Sequence, residues 1–165
     1  MKKNQKGFSL IELLIVVAII LIIAAIAIPN LLKSKMAANE SSAVGSLRTI
    51  NTGEVTFASS CPAIGFSATL LDLNTGSPCA SGNGIIDNVL ATGTKSGYTF
   101  RYTPATNGAT TNTSYVANAT PQTLGVTGQR MFCTDQTGVI RYDPAGAACT
   151  VPAVGVAVGG SPALQ

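Results

Sequence analysis

The chain has 165 residues, of which 46% are hydrophobic and only 10% charged, with a formal net charge of +3 and neither histidine nor tryptophan. Such a length allows one modest domain beside an apolar segment, and the charge content is low for an ordinary soluble protein. Lys2, Lys3 and Lys6 carry the whole basic excess, because beyond Gly7 seven basic residues face seven acidic ones, so net charge gives no argument for a nucleic-acid partner.

The N-terminus comes first in chain order. From Leu13 to Ile28 there are sixteen residues without a charge or a hydrogen-bonding side chain, and Glu12 is the one carboxylate at the start of this run. Counted from Leu10, the stretch is close to bilayer length for a helix. A lone charge at membrane depth costs about 2.5–3.5 kcal/mol on insertion scales, so such a residue is expected to have a partner. The lysines ahead of the run predict that everything after Ile28 lies outside the cytoplasm. One long helix is predicted over residues 8–59, with a kink or local opening at Pro29. Beyond Pro29, Val44, Leu47 and Ile50, with Val55 and Ala58 further on, recur at three- and four-residue steps, while Lys33, Lys35, Asn39, Glu40, Ser41 and Arg48 fall between them. This predicts an amphipathic helix with one packing face.

Ser59-Ser-Cys-Pro62 ends the helix. Residues 60–97 are rich in Gly, Ser, Asn and Pro and read as a loop region with one apolar patch at Ala68–Leu73. Tyr98, Phe100 and Tyr102 then alternate with Thr99, Arg101 and Thr103, the period of a strand. Further strands are expected at 114–118, 130–134 and 139–142, the last two joined by the turn Asp135-Gln-Thr-Gly138. The tail from Pro144 to Gln165 is uncharged and reads as loop, with room for one more edge strand. Cys61, Cys79, Cys133 and Cys149 all fall in the exported part. An even count in an oxidising compartment reads as two disulfides, and of the three pairings the sequence-local Cys61–Cys79 and Cys133–Cys149 is favoured. Buried thiols or a metal site are the alternative, but there is no CxxC spacing and no histidine.

No Ser–His or Cys–His pair and no phosphate-binding glycine loop occurs, so no catalytic residue and no cofactor is expected. Asp72, Asp87, Asp135 and Asp143 lack the spacing of a calcium loop, so no metal site is expected. Asn39-Glu-Ser, Asn112-Thr-Ser and Asn118-Ala-Thr match the glycosylation triplet, which arises by chance in such compositions. Tyr98, Phe100, Tyr102, Phe132 and Tyr142 with Arg101, Arg130 and Arg141 could meet nucleic acid, but read first as core and sheet-face residues.

Three readings of the N-terminus compete. A secretory signal would be cleaved after Ala27, in Ala25-Ile-Ala27. A plain membrane anchor is the second. Neither accounts for Glu12 or for the Lys-Gly-Phe junction ahead of the apolar run. Lys6-Gly7-Phe8-Ser9-Leu10-Ile11-Glu12-Leu13, with Pro29, resembles the class III signal of type IV pilins and pseudopilins. The resemblance implies cleavage after Gly7 by a prepilin peptidase, which removes a leader of residues 1–7, and N-methylation of Phe8. Residues 8–29 would be retained as the transmembrane segment and later the filament core, with residues 60–165 as the head and its sheet over 98–143. It implies an α+β pilin fold: a long helix on an antiparallel sheet of about four strands, with two disulfide-closed loops. The implied partners are identical subunits, the peptidase/methyltransferase and an inner-membrane assembly platform. Glu12 would meet the Phe8 amine of a neighbouring subunit and set register. The chain departs from many pilins in having no glycine between Glu12 and Pro29. With no tryptophan, it also departs from major type II secretion pseudopilins, which favours a pilus subunit over a pseudopilin. A minor or competence pilin binding DNA or a surface at a filament tip is the other alternative.

Overall fold

The computed structural model describes residues 8–74, 84–106, 111–144 and 162–164. The chain divides into two compact units, Met1–Lys35 and Met36–Gln165. One helix, α1 (Leu10–Ser60), runs through both. It passes Pro29 without interruption, so the local opening expected there is not present in the single chain.

In the second unit, α1 buries Glu40, Ala43, Leu47, Ile50, Glu54 and Phe57. These positions alternate three- and four-residue steps, the spacing that keeps one helix face on a core. The expected stripe was correct at Leu47 and Ile50 and wrong at Val55, which is 63% exposed. The face continues instead through the carboxylate of Glu54. Residues 60–97, expected as loop, carry three short elements: a 3-10 helix (Leu70–Leu73), α2 (Asn88–Ala91) and β1 (Thr94–Lys95). Asp72 closes the first by accepting the Thr69 N–H (2.8 Å), and Asp87 caps α2 by accepting the Leu90 N–H (3.1 Å). Both are ordinary uses of a short carboxylate at a helix start.

The sheet is an antiparallel meander in the order β1-β2-β3-β4-β5, with β2 at Tyr98–Thr106, β3 at Asn112–Pro121, β4 at Met131–Asp135 and β5 at Arg141–Asp143. It has five strands where about four were expected, because Thr94–Lys95 adds an edge. Along β2 the period-two pattern holds: Tyr98 and Phe100 are buried, and Thr99, Arg101 and Thr103 are exposed. Pro104 is tolerated within β2 because β1 pairs only with Tyr98 and Thr99, leaving the far end of β2 an edge where no ladder N–H is needed. The Asp135–Gly138 turn forms as expected. Gly138 N–H donates to the Asp135 carbonyl (2.9 Å), with Gly138 at φ +74°, and the Asp135 carboxylate accepts from both the N–H and the hydroxyl of Thr137. Pro162–Leu164 lies along β5: Tyr142 N–H donates to the Pro162 carbonyl (3.0 Å) and Leu164 N–H to the Ile140 carbonyl (2.8 Å).

The core joins Leu47, Ile50 and Phe57 of α1 to Tyr98, Phe100, Tyr115, Ala119 and Phe132 of the sheet, and to Leu73, Ile86 and Leu90 of the connection. Asn51 couples helix to sheet: its Nδ2 donates to Thr134 Oγ1 (2.9 Å) and the Gly138 carbonyl (3.2 Å), and its Oδ1 accepts from the Tyr115 hydroxyl (2.9 Å).

Candidate assembly site

In the first unit, every large apolar side chain from Phe8 to Leu32 is 46–78% exposed, and α1 is long and apolar enough here to span a membrane by length and composition. A continuous apolar surface of this size is far beyond what a soluble monomer leaves in water. Within it, Glu12 is the one ionisable group after Lys6 and before Lys33. Its Oε2 accepts the Ser9 N–H at 2.9 Å, and the Leu13 N–H donates to the Ser9 carbonyl at 3.2 Å. Ser9-Leu-Ile-Glu12 is therefore half of a capping box, with Glu12 satisfying an N–H that opens the helix. The S-x-x-E spacing is visible in the sequence, but reading Glu12 as the partner of the Phe8 amine, in the same helix or a neighbouring one, passes over this capping role. Phe8 is 78% exposed, and Gly7 lies outside the described residues.

A family model described as the prokaryotic N-terminal methylation motif matches residues 2–28. The type IV wide pilus major component PilA4 of Thermus thermophilus is 63% identical over 38 residues, 23% of this chain and 29% of that protein. The type IV major pilin protein PilA of Myxococcus xanthus is 50% identical over 54 residues, 33% of this chain and 24% of that protein. Residues 2–28 of this chain carry the N-terminal methylation motif, and part of the chain is similar to these two type IV pilins. The chain spans about a quarter of the length of each of these relatives. No solved structure matches it. The observed architecture, a long helix with an apolar first half and a second half packed on an antiparallel sheet, agrees with the pilin α+β fold.

The head holds two carboxylates, Glu40 and Glu54, on the packed face of α1. Glu40 Oε1 accepts from the N–H groups of Gln129 (2.8 Å) and Arg130 (3.1 Å), and Oε2 from Arg130 Nε (2.8 Å) and Nη2 (2.7 Å). Burial pushes the Glu40 carboxyl up, but the two backbone donors and the guanidinium outweigh it and hold it below the usual carboxylate range. The Arg130 guanidinium in turn sits over the rings of Phe132 (5.5 Å) and Tyr142 (5.7 Å). Glu54 is fully buried and has no such cation. Its oxygens accept from the Ser67 N–H (2.9 Å) and hydroxyl (2.6 Å), with the Tyr102 hydroxyl, which donates to the Ser67 carbonyl (3.1 Å), beside them. Burial dominates here and raises the Glu54 carboxyl, with the Asp72 charge adding to it. Burial, reinforced by the Glu54 charge, likewise holds the Tyr102 and Tyr115 phenols above their usual range.

The other candidates do not assemble into a site. Tyr98, Phe100 and Phe132 pack inside the core and Arg130 is committed to Glu40, so no aromatic and arginine platform for bases forms from them. Asp72 and Asp87 cap short helices and Asp135 closes a turn; among the described residues no group of three metal-ligating side chains converges. Asn112 is buried, donating to the carbonyls of Phe66 (2.9 Å) and Ser67 (3.2 Å), and Asn39 donates to the Thr127 carbonyl (2.8 Å). Both amides thus have structural roles. Cys61 and Cys133 are buried and disulfide-bonded; Cys79 and Cys149 lie outside the described residues.

Proposed function

We propose that this chain is the structural subunit of a type IV pilus-like filament. The observation that carries this reading is a helix exposed on all sides, uncharged from Leu13 to Ile28, with the methylation motif at its head and Glu12 as its one carboxylate. A prepilin peptidase cuts between Gly7 and Phe8, the new Phe8 amine is N-methylated, and the helix stays in the inner membrane with the head outside the cytoplasm until an assembly platform extracts it. In the filament, the apolar helices pack on one another and Glu12 leaves its capping role, or shares it, to meet the Phe8 ammonium of a neighbouring subunit. In a low-dielectric core that pair sets register, since a slip would leave two buried charges unpaired. The similarity to a major pilus component and to a major pilin supports a pilus subunit over a secretion pseudopilin.

Intact-mass analysis tests processing: the mature chain should begin at N-methylated Phe8, and a chain beginning at Ile28 would make the segment an ordinary secretory signal. Gly7→Val should leave the full-length precursor in the membrane. Glu12→Val should insert and be cleaved but yield no filament, because the neighbour's amine then lies unpaired at a cost of several kcal/mol repeated at every subunit. Sheared-filament yield and electron microscopy read the outcome, and wild-type yield from Glu12→Val would refute the pairing.

A further inference from the structure

The loop between β3 and β4 is uncharged from Gln122 to Gln129. Its backbone is fixed from within. The N–H groups of Val126 (3.1 Å) and Thr127 (2.9 Å) donate to the Thr123 carbonyl, Gly125 N–H donates to the Gly128 carbonyl (2.9 Å), and Thr123 N–H donates to Thr127 Oγ1 (3.0 Å). Gly125 sits at φ +79°, in the left-handed region that so tight a loop requires. The loop is also tied to α1, where Asn39 Nδ2 donates to the Thr127 carbonyl at 2.8 Å. On this fixed frame Leu124 and Val126 stand 54% and 57% exposed, and neither belongs to the core.

The turn between β1 and β2 reaches α1 at the same place. Ser42 Oγ donates to Ser96 Oγ (2.9 Å), and a Cβ on Gly97 would lie 3.0–3.2 Å from Thr127 and the Asn39 amide. The ends of two hairpins thus form one rim around Asn39–Ser42. Lys33 and Lys35 follow directly on the apolar residues Leu31 and Leu32, and lysines at such a boundary place their ammonium groups among lipid headgroups. From Lys33 to Asn39 the helix rises about 9 Å, and the headgroup layer is about 5–7 Å thick on each side of a bilayer. The helix rise alone therefore keeps the loop bonded to Asn39 within reach of the headgroups. An uncharged loop with two apolar side chains at its tip fits the boundary between headgroups and acyl chains, where such side chains are buried by about 5–10 Å. Leu71 is comparably exposed, at 53%, but its 3-10 helix packs through Leu73 on Gly53, about 30 Å beyond Lys33 by helix rise.

We infer that in the unassembled subunit Leu124 and Val126, at the tip of the β3–β4 loop, enter the non-cytoplasmic face of the bilayer that holds the apolar helix. The inference rests on the membrane anchoring of residues 8–29 proposed above and goes beyond it by naming the surface of the head that meets lipid. This second contact holds the head at a fixed rotation about α1 and has to be released when the subunit is extracted.

The chain has no tryptophan, so a single one reports without background. Leu124→Trp, Leu71→Trp and Ile20→Trp, each in the full chain, are reconstituted at low density in phosphatidylcholine–phosphatidylglycerol vesicles with or without bromine on the acyl chains. All three positions are exposed, so thermal unfolding should match wild type; Val126→Trp replaces Leu124→Trp should the latter melt lower. Leu124→Trp should lose about half its emission to bromine placed near the headgroup end of the acyl chains, the depth of an interfacial side chain, and be shielded from aqueous iodide. Leu71→Trp should show the reverse, and Ile20→Trp should be quenched by lipid bromine alone. If Ile20→Trp is quenched by lipid while Leu124→Trp answers only to iodide, the loop contact is refuted and the anchoring stands. If Ile20→Trp is open to iodide, the anchoring has failed and the inference with it. Shielding of Leu124→Trp that grows with protein density, without quenching by lipid, would assign the loop to a second copy of the chain and equally overturn the inference.

Discussion

At the scale of single residues, close approaches decide more than composition does. A Cβ on Gly128 would lie 2.0 Å from the Tyr98 hydroxyl and 2.6 Å from Cζ of the same ring. Tyr98 is fully buried and donates to the Arg130 carbonyl at 2.9 Å, so the ring has nowhere to withdraw. Gly128→Ala should therefore cost about 2–4 kcal/mol, the sum of overpacking and a strained buried hydrogen bond. Thermal unfolding of the solubilised chain measures it. Pairing the change with Tyr98→Phe should recover only part of the loss, since the ring carbon is still too near; full recovery would mean the hydroxyl alone was at fault.

At the scale of elements, α1 is fastened to the head by two carboxylates of opposite electrostatic character. Glu40 has cationic and backbone donors and a lowered pKa, so its stabilisation is present above the unfolded value of 4.5 and disappears as pH falls through the folded value below it. Glu54 is buried without a cation and its pKa is raised, so its contribution is fully present below 4.5 and is lost as pH rises through the folded value above it. Glu54→Gln keeps both contacts to Ser67, its carbonyl accepting the N–H and its amide donating to the hydroxyl, and cannot ionise. The stability of Glu54→Gln relative to wild type should grow as pH rises from 4.5 and then level off. Glu40→Gln should behave oppositely, weaker than wild type at neutral pH and converging with it in acid. Denaturant melts across pH 3–8 read both variants, and parallel curves for Glu54→Gln and wild type would show that the carboxyl titrates as it does unfolded. Glu54→Ala strands the Ser67 N–H and should cost about 1–3 kcal/mol at any pH.

At the scale of the whole molecule, the head is small and its core is one helix face on a meander. We propose that it depends on the bridges Cys61–Cys79 and Cys133–Cys149, each worth about 2–4 kcal/mol. Non-reducing peptide mapping should recover these two pairs, and a peptide joining Cys79 to Cys133 would refute them. Replacing both cysteines of either pair should lower the melting temperature without affecting the proposed cleavage after Gly7, because the N-terminal methylation motif lies within residues 2–28.

The sequence by itself determined the N-terminal half of this account. The lysines, the uncharged run and Glu12 are local facts whose meaning does not depend on what the rest of the chain does, and the strand period at Tyr98–Thr103 and the turn at Asp135–Gly138 are equally local. Tertiary structure alone decided the fate of the charged and small residues of the second half of α1. Periodicity placed Glu40 between the apolar positions and Val55 on the packing face, and gave Glu54 no place in the core. The fold reverses this, because Gln129, Arg130 and Ser67, remote in sequence or lying in the loop beyond the helix, bring donors that make it cheaper to bury two carboxylates than to break the three-and-four spacing of Ala43, Leu47, Ile50 and Phe57. A buried carboxylate is recognisable only when its donors are, and donors supplied by distant backbone leave no trace in the pattern of side chains.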